Sequence, residues 1–99
     1  MTDYTITKLN IPCNGLTQLP DDMDKYTNLQ ILYCHCNKLT SLDNLPSNLQ
    51  ILDCKYNQLT SLDNLPPNLQ ELACGNNPLT YDFKPSLRKI KNYNSTRKL

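Results

Sequence analysis

The sequence predicts an α/β solenoid, a stack of short parallel strands joined by return segments with little helix. Three observations carry that prediction. Leu39-Thr40-Ser41-Leu42-Asp43-Asn44-Leu45-Pro46 recurs as Leu59-Thr60-Ser61-Leu62-Asp63-Asn64-Leu65-Pro66, twenty residues further on. Asn-Leu-Gln follows each copy, at Asn48-Leu49-Gln50 and Asn68-Leu69-Gln70. Apolar residues and an Asn then recur in one frame along most of the chain. A fixed period of about 20 to 29 residues marks an architecture in which each unit buries its apolar side only by stacking on its neighbours.

The frame is Leu-x-x-Leu-x-Leu-x-x-Asn-x-Leu. Its first copy reads Ile6, Leu9, Ile11, Asn14, Leu16, and its second Leu29, Leu32, Cys34, Asn37, Leu39. The third reads Leu49, Leu52, Cys54, Asn57, Leu59, and the fourth Leu69, Leu72, Cys74, Asn77, Leu79. A fifth start at Leu87 and Ile90 loses the pattern. The units fall at about residues 6–28, 29–48, 49–68 and 69–86. A C-terminal cap spans about 82–93, and a poorly ordered tail occupies 94–99. All 99 residues then form one domain.

Each element follows from local chemistry. Around Leu32/Cys34, Leu52/Cys54 and Leu72/Cys74, apolar residues alternate with outward neighbours, the period of a strand. Every unit runs the same way, so the strands are parallel. Pro46, Pro66 and Pro67 disfavour a regular helix on the return side, which leaves extended or 3₁₀ turns. Asp21-Asp22-Met23-Asp24-Lys25-Tyr26 suits about one helical turn, with its acids at the favourable end. Asn14, Asn37, Asn57 and Asn77 form a ladder, since an amide both donates and accepts at the turn after each strand.

This frame resembles the leucine-rich repeats, over roughly residues 6–90. The 20-residue units are similar to the short subtype of bacterial secreted effectors, with Leu-Thr-x-Leu followed by Leu-Pro-x-x-Leu. Cys at the third core position resembles the repeat proteins of giant amoeba viruses and some bacteria. The first unit departs from this, since Leu16, Leu19, Pro20, Met23, Tyr26 and Leu29 resemble a longer 23-residue form. The resemblance implies a short curved horseshoe with a concave parallel sheet that binds proteins. Some effectors carry a ubiquitin-ligase domain after their repeats, and no such segment lies in these 99 residues.

Composition narrows the function. Hydrophobic residues make up 38%, below the usual share of about 45–50%, but they sit at fixed spacing and can form one core. No apolar run approaches the roughly 20 residues that span a membrane. The N-terminus has neither a basic region nor an apolar stretch, so no signal peptide is read. Five cysteines, an odd number without an export signal, suit a reduced, cytoplasmic protein, in a host cell's cytoplasm if the chain is viral or an effector. Residues 1–82 hold four lysines against nine acids, whereas Lys84, Arg88, Lys89, Lys91, Arg97 and Lys98 follow with no acid. A basic tail is read first as a solvated cap, and only second as a site for nucleic acid or another anionic partner.

Little in the chain suits catalysis. His35 is the only histidine, no Gly-rich phosphate loop exists, and Cys36 follows His35 directly, so the two point to opposite strand faces. No cofactor or metal is expected: Cys13, Cys36 and His35 supply only three candidate ligands. Cys34, Cys54 and Cys74 form an inward column and read as buried thiols. Cys13 and Cys36 share one repeat position and are the pair best placed to bridge under oxidation.

The outward strand positions therefore carry the functional prediction. One column reads Lys8, Ile31, Ile51, Glu71, the next Asn10, Tyr33, Asp53, Ala73, and the third Pro12, His35, Lys55, Gly75, with Tyr56 alongside. Aromatic anchors within a charged rim are what interfaces use. Ile31, Tyr33, His35, Ile51, Asp53, Lys55, Tyr56 and Glu71 are thus expected to bind a protein partner, a host protein if the chain is viral or an effector. The alternative is structural self-association, edge to edge or head to tail, because thin caps leave sheet edges open.

Overall fold

The computed structural model describes residues 2–96. Four three-residue strands, β1 (Lys8–Asn10), β2 (Ile31–Tyr33), β3 (Ile51–Asp53) and β4 (Glu71–Ala73), form one parallel sheet in chain order. Leu9, Leu32, Leu52 and Leu72 align across it. Backbone pairing outruns the strands: Gln50 N–H donates to Gln30 O at 2.8 Å, and Cys34 N–H to Asp53 O at 2.9 Å. The body is elongated, 43 × 27 × 19 Å, as a stack with contacts only between neighbours should be.

The return segments contain one 3₁₀ turn, Met23–Lys25, inside the stretch expected to make a single helical turn. Elsewhere they bend at proline. Leu49 N–H donates to Pro46 O and Leu69 N–H to Pro66 O, both at 3.2 Å. Asn44 and Asn64 precede those bends with φ of 58°, a left-handed conformation that Asn tolerates better than most residues.

The core is deepest where a rung has neighbours on both sides. Leu29, Leu32, Cys34, Leu39, Leu49, Cys54 and Leu59 have no exposed surface. In the end rungs, Ile6, Leu9, Ile11 and Leu16 on one side and Leu72, Cys74 and Leu79 on the other are only partly buried. Helix α1 (Leu87–Thr96) covers the C-terminal end and buries Ile90 completely. Ser86 opens it, accepting from Lys89 N–H through Oγ at 3.3 Å and from Ile90 N–H through its carbonyl at 2.9 Å. Tyr81, Phe83 and Tyr93 pack together there, with ring centroids 4.9–5.9 Å apart.

Residues 94–96, the start of the expected tail, continue α1. Asn94 Nδ2 donates to Leu62 O at 2.9 Å, so the last helical turn is tied to the third rung. The remainder of that expected tail, residues 97–99, lies outside the described residues.

The asparagine ladder joins the rungs. Asn57 Nδ2 donates to Cys34 O at 3.1 Å and Cys54 O at 3.0 Å, while its Oδ1 accepts from Leu39 N–H at 3.0 Å. Asn77 repeats this toward Cys54 O, Cys74 O and Leu59 N–H, and Asn37 toward Ile11 O, Cys34 O, Asn14 N–H and Leu16 N–H. Each amide thus reaches back one rung. Among the described residues no rung precedes Asn14. Its side chain is exposed, and it enters the ladder through its backbone N–H alone.

Two stability contrasts follow. Asn57→Ala leaves the buried Leu39 N–H without its partner and takes one of two amide donors from Cys34 O and from Cys54 O, and should cost about 1–3 kcal/mol, whereas Asn14→Ala should change stability by under about 0.5 kcal/mol. Leu52→Ala, in a side chain 1% exposed, should cost about 2–5 kcal/mol, and Leu72→Ala distinctly less. Urea denaturation of the four variants at equal protein concentration checks both.

Candidate partner-binding face

The sheet's outward face is built from alternate strand residues. Ile31 pairs with Lys8 on one side and Ile51 on the other, and Ile51 with Glu71. In the next column Asn10, Tyr33, Asp53 and Ala73 are in register. The structure therefore sets Ile31, Ile51, Tyr33 and Asp53 side by side, all partly buried, with Glu71 exposed at the edge.

Charge is organised around the aromatic residue. Lys8 Nζ lies 5.1 Å from the Tyr33 ring centroid, and the Tyr33 and His35 rings meet edge-on at 6.5 Å. Asp53 Oδ2 lies 3.6 Å from His35 Nδ1 and 4.0 Å from Lys55 Nζ. The Asp53 side chain is 19% exposed, against 32% for His35 and 45% for Lys55. Asp53 Oδ1 also accepts from Lys55 N–H at 3.2 Å, which fixes the carboxylate. The His35 Nδ1 atom is buried and makes no hydrogen bond among the described residues. A cation–π contact, an edge-on ring pair and a carboxylate shared by two bases thus occupy one continuous surface.

Tyr56 is not in these columns. It occupies the turn after β3 with φ of 56°, and at 56% exposure it is the most exposed large apolar side chain described. Cys13, Cys36 and Asn76 hold the same turn position with φ of 55–57°. Tyr56 therefore stands at the rim of the face, beside Lys55.

Residues 48–72 match the Leucine Rich Repeat family model. That match supports a leucine-rich repeat protein. The matched segment runs from the Asn-Leu-Gln before β3 to Leu72 in β4, and so spans one rung and its return segment. No curated protein and no solved structure matches the chain. Leucine-rich repeats commonly mediate protein–protein interaction and are generally non-catalytic. No group of three or more His, Cys, Asp or Glu among the described residues is arranged to hold a metal ion. No described helix is long and apolar enough to cross a membrane.

One surface went unread in the sequence. A groove of about 570 Å³ runs along the start of the strands, lined by Asn28, Gln30, Asn48, Gln50, Asn68 and Gln70 among others. Of these amides, Asn48 donates to Thr27 O at 2.9 Å. Its signal was the Asn-Leu-Gln triplet, present three times, whose leucine drew attention to the core instead. The basic C-terminal segment is partly committed to capping, since Lys91 Nζ donates to Leu69 O at 2.9 Å. Arg97 and Lys98, counted in that segment, lie outside the described residues.

The inward cysteine column governs the response to alkali. Burial pushes the Cys34 thiol up from 9.0 to about 12, with Asp53 adding to it. Burial, then the neighbouring Cys34 and Cys74, pushes Cys54 higher still. Burial likewise raises Tyr81, whose OH accepts from Leu62 N–H at 2.8 Å. Groups raised in the folded state stabilise it fully below their unfolded values and cease to do so as pH rises through the folded ones. Stability should therefore be flat from neutral pH to about 8 and fall from pH 9 toward 12. Cys54→Ala should lower the melting temperature at pH 7 yet make the alkaline decline shallower, as thermal melts at a series of pH values would show.

Proposed function

We propose that this chain is a non-catalytic protein-binding module that engages its partner through the outward sheet face, as the concave side of a short curved horseshoe. The observation that carries the reading is the Lys8–Tyr33–His35–Asp53–Lys55 cluster beside the Ile31/Ile51 patch. A rigid aromatic ring framed by fixed charges is the arrangement found at interface hot spots. Ile31, Tyr33, His35, Ile51, Asp53, Lys55, Tyr56 and Glu71 are the contact residues. In line with the resemblance to short bacterial-effector and giant-virus repeats, the partner is a host protein met in the cytoplasm. Tyr33→Ala with Tyr56→Ala should reduce capture of that partner from host lysate at least about tenfold, the loss of one interface anchor. Both residues are outside the leucine core, so a circular dichroism spectrum like that of the parent chain is the control. Equal capture by the double variant overturns the reading.

Self-association is the second reading, and the sheet edges favour it. Among the described residues β1 and β4 each pair on one side only. Lys8 at one edge and Glu71 at the other belong to the same column, so a head-to-tail copy would set opposite charges across the new pair. Light scattering should then show mass rising with concentration at low salt and falling at high salt. A monomer at high concentration in both removes this reading.

A further inference from the structure

The structure assigns Cys13 and Cys36 as a reactive dithiol that low-molecular-weight disulfides convert into a covalent clasp between the first and second rungs. The backbone brings the pair together. Cys13 N–H donates to His35 O at 3.1 Å and Cys36 N–H to Lys55 O at 3.0 Å, so both residues sit at one register position on adjacent rungs. Both take the left-handed conformation, with φ of 55° and 57°, which turns their side chains the same way off the end of the sheet. Both are exposed. Neighbouring parallel rungs lie about 4.8 Å apart, inside the Cα range of about 4.4–6.8 Å that disulfides span.

The other three thiols form an internal contrast. Cys34 and Cys54 are buried in the core, and Cys74 is partly buried. They share the rung spacing, but a reagent cannot reach the two buried ones, and burial holds all three protonated. Selectivity among five cysteines therefore follows from exposure.

The neighbouring Cys13 side chain, more than any other influence, holds the Cys36 thiol above its usual range. Both thiols are exposed, so either can open the exchange. When Cys13 does so, its thiolate attacks one sulfur of the small disulfide, forming a mixed disulfide and releasing one small thiolate. The Cys36 thiolate then attacks the Cys13 sulfur, closing the Cys13–Cys36 bond and releasing the second thiolate. The two cysteine protons pass through solvent to the departing thiolates, so one small disulfide is reduced for each clasp formed.

The clasp falls where the stack is weakest. Ile6, Leu9, Ile11 and Leu16 of the first rung are only partly buried, and no helix covers that end among the described residues. A covalent tie between residues 13 and 36 would fasten this rung to the fully buried second one.

The test is intact-mass and peptide mapping of the reduced full chain after incubation with oxidised glutathione. The parent chain should lose the mass of two hydrogens, retain no glutathione, and yield a Cys13–Cys36 linked peptide. Cys36→Ser should accumulate a stable single adduct at Cys13, and Cys13→Ser should form no internal bridge. The oxidised parent should also melt at a higher temperature than its reduced form, with no such shift in the Cys13→Ser/Cys36→Ser chain. Stable adducts on the parent, five thiols left free, or a bridge involving Cys34, Cys54 or Cys74 overturns the assignment.

Discussion

Everything in this molecule depends on how each turn after a strand satisfies its backbone. A parallel strand that stops after three residues leaves carbonyls and N–H groups facing inward, where water cannot serve them. In the second, third and fourth rungs one asparagine amide meets that need with two donors and an acceptor, and it takes its partners from two rungs at once. Solving a local problem in this way creates a non-local bond. The leucine columns supply the apolar burial, but leucines alone would permit sliding. The amide fixes which carbonyl faces which strand, and so sets the register of the outward face as well.

The outward face inherits its geometry from that constraint. Tyr33 meets Lys8 and His35, and Asp53 sits between His35 and Lys55, because the rungs hold adjacent columns in strict register. None of these side chains belongs to the hydrophobic core. The repeat conserves the inward letters within the chain and varies the outward ones, so the surface can differ from rung to rung at almost no structural cost.

Most of the fold was legible in the sequence because its causes repeat. Leu, Cys and Asn at a spacing of twenty name the core and the turn, and proline names the return side. What was less legible has unique causes. The final turn of α1 depends on Asn94 reaching Leu62 O, a contact made once, with no periodic signal. Asn14 looks identical to the ladder residues, and only its place in the first rung of the described residues removes its side chain from the ladder. The amide groove was hidden by reading Asn-Leu-Gln for its leucine. On the outward face, residue columns could be read but contacts could not, since side-chain distances such as that from Asp53 to His35 depend on rotamers and on the twist between rungs.

The near-identity of the second and third units has another consequence. Two segments that can each complete the other's interface make the chain degenerate during folding: a strand displaced by one whole unit would still find leucines and an asparagine waiting. Such a slip costs little in the middle of the stack, and its penalty must arise at the ends. There the residues are unlike any other, with Tyr4 bonded to Asp22 and packed on Tyr26 at one end, and Tyr81, Phe83, Tyr93 and Ile90 gathered at the other. The caps thus act as punctuation: they tell interchangeable units which place in line is theirs.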